Sequence, residues 1–201
     1  MQISAQARRL ISLRSRLPIL LGVVVLCLPA LAHAQAPGNP GKPGKAHELF
    51  ARDAGTWDCD VKMFFAGPGM PPVESKGVEV NELVSGGLYM RTSLSYPMGD
   101  RGEFEGHSLI GYDPRINKYV GTWVDNFTSI PSQISGEYDE NSKTLTVHRT
   151  VVDGRGNELK SKDVTTWTDD SKKNVAVFLI VKTGDKELEI KLMEMTATKR
   201  P

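Results

Sequence analysis

The sequence predicts an all-β protein, an antiparallel up-and-down barrel of about ten strands preceded by a short N-terminal helix. Apolar and polar residues alternate over most of the chain after residue 55, which is the period of a β-strand. Short segments with turn chemistry separate the alternating stretches, and short connections favour antiparallel neighbours. Ten consecutive strands would leave two open sheet edges. Closure into a barrel removes both edges.

Residues 1–34 have the layout of a secretory signal peptide. Four arginines and no acidic residue precede an apolar run at 17–31, and Ala32-His33-Ala34 follows as a cleavage sequence of the small-x-small type. The apolar run is shorter than the roughly 20 residues that a bilayer-spanning helix needs. We therefore expect cleavage after Ala34, a periplasmic or secreted protein, and no membrane span after cleavage.

The composition of the processed chain limits the classes of function. Loss of residues 1–34 leaves 167 residues with 21 basic and 24 acidic side chains, and a formal charge of −3. A mildly acidic protein lacks the electrostatic footprint of a nucleic-acid binder, so we expect no nucleic-acid partner. Cys59 is the only cysteine that remains, so no intrachain disulfide can form and the core must supply the stability.

The mature chain divides into a linker and one domain. Residues 35–45 are rich in proline and glycine and have no apolar periodicity, which is typical of a linker. Residues 46–201 are predicted to form the barrel domain, in which a helix over 47–54 ends at Gly55. The predicted strands span residues 56–65, 74–84, 88–96, 104–113, 118–127, 131–139, 144–153, 157–168, 174–183 and 186–199.

Alternation gives nearly every predicted strand one apolar face. A continuous apolar interior, either packed or able to hold a ligand, requires such faces. The apolar residues that share a face are Trp57, Cys59, Val61, Met63 and Phe65; Leu145, Val147 and Val151; Val175, Val177, Leu179 and Val181; and Leu188, Ile190 and Leu192.

A set of short motifs resembles a known family. Gly55-Thr56-Trp57, at the junction of the helix and the first strand, resembles the Gly-x-Trp signature of lipocalins and their calycin relatives. The wider pattern adds Gly86-Gly87, Phe104-x-Gly106 leading into Gly111-Tyr112-Asp113, Lys118-Tyr119-Val120, Trp123-x-Asp125 and Lys199-Arg200. Over residues 47–200 the chain resembles a bacterial family catalogued as domain of unknown function 1579.

This resemblance implies a lipocalin-like barrel and no assigned activity. It also implies a structural closure of one barrel end, in which Gly55 and Trp57 begin the first strand and a basic residue near the end of the last strand packs across the tryptophan. Arg200 has the parity of the apolar residues in the tenth strand, so it is the candidate for that basic residue.

A barrel of this kind predicts a binding protein for a small, partly apolar ligand. Polar residues on apolar faces would anchor the ligand. For Asp125, the alternative is a structural role as a hydrogen-bond acceptor at a strand end, and for Arg149 it is pairing inside the protein. The candidate ligand-binding residues are Trp57, Tyr96, Tyr112, Trp123, Asp125, Arg149 and Glu194.

Two other classes of function stay open at this stage. The first is an enzyme that acts on a small molecule through an interior carboxylate such as Asp125 or Glu194. The second is an envelope interaction module with a packed barrel, whose outer surface binds through residues such as Phe178. No catalytic motif singles out an enzyme, and the histidine spacing predicts neither a metal site nor a cofactor. The sequence does not determine the oligomeric state.

Overall fold

Residues 41–64, 69–152 and 156–201 are described by a computed structural model of the chain. The predicted signal peptide, residues 1–34, lies outside the described residues, as does most of the predicted 35–45 linker. Within the described ranges, no helix has both the length and the apolar character needed to cross a bilayer.

One short helix and ten strands make up the described chain. A 3-10 turn at Lys45–His47 leads into helix α1 (Glu48–Asp53), and further 3-10 turns lie at Ser85–Gly87 and Gly99–Arg101. The strands are β1 (Gly55–Met63), β2 (Val73–Val84), β3 (Tyr89–Pro97), β4 (Glu103–Asp113), β5 (Lys118–Asp125), β6 (Thr128–Asp139), β7 (Thr144–Val152), β8 (Glu158–Asp169), β9 (Lys172–Thr183) and β10 (Lys186–Lys199).

The strands form a closed barrel. Each strand pairs antiparallel with its sequence neighbours, and β1 also pairs with β10, with Trp57 opposite Lys199 and Met63 opposite Met193. Because the first and last strands pair, no edge is left unpaired in the sheet. The predicted all-β, up-and-down barrel of ten strands with a short N-terminal helix is therefore confirmed.

Helix α1 covers one end of the barrel, which we call the base. Leu49 and Phe50 are buried there, and the Phe50 ring packs edge-on against the Tyr119 ring at a centroid distance of 5.6 Å. β1 begins at this end, directly after the helix. The opposite end, the mouth, carries the connections that lead from each odd-numbered strand to the next even-numbered one.

A bulge in β10 changes which of its residues face the interior. The register with β9 shifts between Lys191 and Met193, so Leu192 is an extra residue in the ladder. Met195 lies on the inner face below the bulge and is 2% exposed. Above the bulge the inward positions become even-numbered, because Ile190 pairs with Leu179, which lies on the inner face of β9.

The bulge overturns one expectation about β10, and the end of β1 explains a second feature of this strand. Glu194 lies on the outer face, where its side chain is 44% exposed and pairs with Lys191, so its predicted interior position is wrong. Leu188 and Ile190 share a face with Leu179 and Val181, but they extend beyond the end of β1 and are 50% and 44% exposed. The prediction assigned faces by odd and even numbering along the whole strand. An inserted residue exchanges the odd and even faces beyond it.

Candidate ligand-binding cavity

The barrel encloses a cavity of about 420 Å³. Its wall is mainly aliphatic and aromatic, with charged side chains near both ends. Strict alternation supplies the wall, as in Met90, Thr92, Leu94 and Tyr96 of β3, Leu145, Val147, Arg149 and Val151 of β7, Ser161, Asp163, Thr165 and Trp167 of β8, and Lys173, Val175, Val177 and Leu179 of β9.

A buried ion cluster forms the base end of the cavity. The Nζ atom of Lys173 lies 2.7 Å from Oδ1 of Asp53 and 2.6 Å from Oε1 of Glu79, and the lysine side chain is 2% exposed. Burial disfavours the charged form of Lys173, but the two carboxylates outweigh this effect and raise the pKa of the ammonium group. Lys173 is therefore a buried cation, held in place by two acids.

Amide and indole groups complete this cluster. Asn81 Nδ2 donates to Asp53 Oδ2 at 2.9 Å and to Glu79 Oε1 at 2.5 Å. Trp167 Nε1 donates to Asp53 Oδ1 at 2.9 Å, and Trp57 Nε1 donates to the Asp53 carbonyl oxygen at 2.9 Å. Asp53 thus joins α1 to β1, β2, β8 and β9, which fixes the helix over the base.

The cation that packs against Trp57 is not the predicted one. The Lys173 Nζ atom lies 4.4 Å from the centroid of the Trp57 ring, and Lys199 Nζ lies 5.4 Å away. Arg200 is exposed and pairs with Asp58 at 2.7 Å, so its predicted packing across Trp57 is wrong. Lys199 pairs directly opposite Trp57 in the sheet and shares its face, whereas Arg200 belongs to the other face.

Gly55 has the geometry that this closure requires. Its φ is +133°, a conformation that favours glycine. A Cβ atom at this position would lie 2.7 Å from Cε of Lys199, which passes over the glycine to donate a 2.8 Å hydrogen bond to the Arg52 carbonyl oxygen. The Gly-x-Trp motif therefore combines space for Lys199 with the buried Trp57 ring, which is 0% exposed.

Near the mouth, four aromatic rings form a stacked cluster. The Tyr96 and Phe104 rings stack at 4.7 Å, and Phe104 also stacks with Trp123 at 6.3 Å and with Phe127 at 5.9 Å. Gly106 provides the space for this arrangement, because a Cβ atom there would lie 2.7 Å from Cη2 of Trp123. Two motifs that are distant in sequence, Phe104-x-Gly106 and Trp123-x-Asp125, thus form one cluster.

Asp125 is fully hydrogen-bonded at the end of β5. Its Oδ2 accepts a 2.9 Å hydrogen bond from Trp123 Nε1, and its Oδ1 accepts from the backbone N–H groups of Phe127 at 3.0 Å and Thr128 at 3.2 Å. These contacts support the structural alternative for this residue. Burial, with a smaller contribution from the Asp125 charge, raises the pKa of the nearby Tyr96 to about 12.

Arg149 pairs with an acid inside the barrel. Its Nη2 lies 2.8 Å from Oδ2 of Asp163, and Ser161 also donates to that carboxylate at 3.1 Å. The guanidinium carbon lies 5.2 Å from the Trp123 ring centroid, and Nε is buried without a hydrogen-bond partner. Of the two alternatives for Arg149, the structure shows internal pairing.

The cavity unites some of the predicted ligand-binding residues and leaves others out. Tyr96, Trp123, Asp125 and Arg149 line the cavity, and whether they bind a ligand stays a prediction. Trp57 is buried beneath the base cluster and is not part of the lining. Tyr112 lies in a second hollow of about 910 Å³ at the base, and Glu194 lies outside the barrel.

Sequence reasoning missed the two acidic residues and the lysine at the base. Asp53, Glu79 and Lys173 all line the cavity, yet none belonged to the predicted site. A signal did exist for Lys173, since it has the parity of Val175, Val177 and Leu179 and therefore falls on the apolar face of β9. The predicted strand began at residue 174, which placed this lysine in a turn.

These features define a class of protein and a family. The closed antiparallel sheet and the internal cavity define the class, which is a β-barrel protein with an internal cavity. The crystal structure of Rv2717c from M. tuberculosis has a similar fold, with a TM-score of 0.58 and 10% sequence identity over 79% of this chain and 99% of that chain. No curated protein matches the sequence. The family model described as protein of unknown function (DUF1579) matches residues 42–199, and the chain belongs to this family.

Proposed function

We propose that the protein is exported after cleavage of residues 1–34 and binds a small, partly apolar molecule inside its barrel. The observation that carries this proposal is the internal cavity of about 420 Å³. Ligand sites in proteins occupy roughly 300–1,000 Å³ and are mostly apolar with a few polar groups, which matches the wall of this cavity.

The cavity favours binding over the two alternative classes of function. A packed barrel that acts only through its outer surface would not need an internal space of this size, since protein interiors are usually close-packed. The acids suggested for catalysis give no support to an enzyme. Asp125 already accepts three hydrogen bonds, and Glu194 faces outward with Lys191 as its partner.

A cavity-filling variant tests this proposal. We expect Val177→Phe to abolish or strongly weaken binding of the neutral fluorescent probe N-phenyl-1-naphthylamine, because Val177 lines the cavity. The matched control is Val124→Phe, since Val124 lies on the outer surface and is 40% exposed. Thermal unfolding of both variants would verify that each is folded.

Native mass spectrometry of the gently purified protein provides a second readout. A co-purified small molecule that is present in the wild type and in Val124→Phe but lost from Val177→Phe would support the proposal. If the probe binds wild type and both folded variants equally well, it binds elsewhere and the cavity is not its site.

A further inference from the structure

The charges around the cavity do not cancel. Four carboxylates and three cations line it, the acids being Asp53, Glu79, Asp125 and Asp163 and the bases Arg101, Arg149 and Lys173. Arg101 belongs to the β3–β4 connection at the mouth. Over the whole lining, acids therefore outnumber bases by one.

Arg149 does not offset this excess and does not offer an anion site. Asp163 neutralises it at 2.8 Å, and the Trp123 ring covers the guanidinium group. A ligand carboxylate at this place would have to displace Asp163, which is itself hydrogen-bonded by Ser161. With Asp163 matched to Arg149, and Asp125 offset in formal charge by Arg101 at the mouth, the excess negative charge belongs to the base cluster.

The base cluster is short of both positive charge and hydrogen-bond donors. Lys173 is the only cation that contacts Asp53 and Glu79 among the described residues. Both carboxylate oxygens of Asp53 accept hydrogen bonds, but Glu79 accepts only through Oε1, and no described residue donates to its Oε2. Asn81 Oδ1 is also buried, with no hydrogen-bond partner in the part of the chain that the structure describes.

At the mouth, Asp125 and Arg101 offset each other in formal charge, and the aromatic rings supply the preference for a cation. Asp125 makes three hydrogen bonds but has no ion-pair partner in the described part of the chain. The stacked rings around Phe104 present π-faces, which attract cations and repel anions. Within low-dielectric walls, charges of one sign focus the electrostatic field and raise the local concentration of oppositely charged ligands.

We propose that the molecule bound in the cavity is a cationic amphiphile whose ammonium group lies at the base against Glu79. This inference rests on the proposed binding function and specifies the class of ligand. The ammonium group supplies the charge and the N–H donors that the base lacks, and the apolar body lies along the aliphatic wall formed by residues such as Ile134, Val147 and Val175. A carboxylate in the same place would add a third acid beside one lysine.

Three probes with the same chain and different head groups test the inference. Decylamine, decanol and decanoate are titrated into the wild-type protein at neutral pH by isothermal titration calorimetry. We expect decylamine to bind about tenfold or more tightly than decanoate, with decanol between them, since a charged hydrogen bond to a buried carboxylate contributes about 1.5–3 kcal/mol. Equal affinities, or a preference for decanoate, would overturn the inference.

Matched glutamate substitutions locate the effect. Glu79→Gln should reduce the ratio of decylamine to decanol affinity to near unity. Glu194→Gln removes the same charge outside the barrel and should keep the wild-type ratio. Should Glu79→Gln not fold, the preference among the three probes in the wild type decides the matter alone.

The same probes separate this inference from the function on which it rests. Suppose that Val177→Phe abolishes decanol binding and that the wild type shows no preference for decylamine. The charge inference would then be wrong, and the proposed binding function would stand. If none of the three probes binds in a manner sensitive to Val177→Phe, both fail.

Discussion

Lys173 is the cation of the buried ion cluster at the base of the barrel. Its ammonium group is shared by Asp53 and Glu79, and it packs against the rings of Trp57 and Trp167 at 4.4 and 5.9 Å. Removing one partner of a buried ionic cluster leaves an unpaired charge in a low-dielectric environment. The resulting loss of stability is much larger than the stability that the intact cluster adds over an apolar replacement.

We therefore predict that Lys173→Met lowers the free energy of unfolding by about 3–5 kcal/mol, because two carboxylates lose their common cation. Urea unfolding followed by tryptophan fluorescence would measure the change. The exposed neighbour Lys172 offers a matched control, and Lys172→Met should stay within about 0.5 kcal/mol of wild type. A similar small effect of both substitutions would show that the cluster does not bear on stability.

Two buried tyrosines predict a loss of stability at alkaline pH. Burial raises the pKa of Tyr96 and of Tyr119 to about 12, from 10.0. The unfolded chain then releases these protons at lower pH than the folded chain. Their contribution to stability is therefore fully present below pH about 10 and is lost as pH rises towards about 12.

Urea unfolding at a series of pH values would measure this loss. Tyr96→Phe should make the alkaline loss shallower at little cost near neutrality, since the hydrogen bond that the Tyr96 hydroxyl donates to Met193 Sδ is long, at 3.6 Å, and has a weak acceptor. Tyr89 is 43% exposed, and Tyr89→Phe should leave the slope unchanged. An identical slope in all three proteins would contradict the assignment.

At the level of single residues, the sequence identified polar positions better than it identified their partners. It named Arg149 and Asp125 as candidate polar anchors, and both line the cavity. It could not place Asp53 or Lys173 together, because they are 120 positions apart and only closure of the barrel brings them to hydrogen-bond distance. Partner identity in such a cluster depends on register across several strands.

Among the elements, β10 shows how one additional residue decides a whole face. The bulge at Leu192 puts Met195 inside and Glu194 outside. We predict that Met195→Glu lowers the free energy of unfolding by more than about 3 kcal/mol or prevents folding, because it places an unpaired charge in the apolar wall.

Glu194→Met provides the comparison and should change the free energy of unfolding by about 0.5 kcal/mol or less. Thermal and urea unfolding of the two variants would give the answer. A strong effect of Glu194→Met, combined with a mild effect of Met195→Glu, would show that Glu194 rather than Met195 faces the interior.

Ten strands could be predicted from the sequence because alternation and turn residues are local signals. The order of the strands in the sheet could also be predicted, because short connections favour antiparallel pairing of consecutive strands. The bulge did leave a local signal, because the apolar residues of β10 switch from even positions (Leu188, Ile190 and Leu192) to odd positions (Met193, Met195 and Ala197), but one parity was applied to the whole strand. The position of Arg200 was wrong for the same reason, as its parity was counted through the bulge from Ile190.

For the whole molecule, the prediction concerns processing. We expect the full chain, expressed in a bacterium with a two-membrane envelope, to reach the periplasm as a product that begins at Gln35. Intact mass and N-terminal sequencing of the fractionated protein would identify this terminus. Replacing Ala32 and Ala34 by Asp should block cleavage, because signal peptidase sites require small residues there. A cytoplasmic product with residues 1–34 intact would contradict export.

The cavity as a whole was the least predictable feature. Alternation predicts that an interior face exists, but whether side chains fill the interior depends on barrel diameter and strand tilt, and these are properties of the closed sheet. The excess of acids over bases around the cavity likewise appears only after Lys173 and Arg149 are matched to their acids. A sum over the sequence cannot separate internal charges from surface ones.

The barrel closes only when β1 pairs with β10. Asp58 and Arg200, which meet across that seam, are 142 positions apart. During synthesis, β1 has to wait for β10 to emerge, so the nascent polypeptide keeps two open hydrogen-bonding edges until β10 has been made. The barrel therefore cannot close before both of these strands are present.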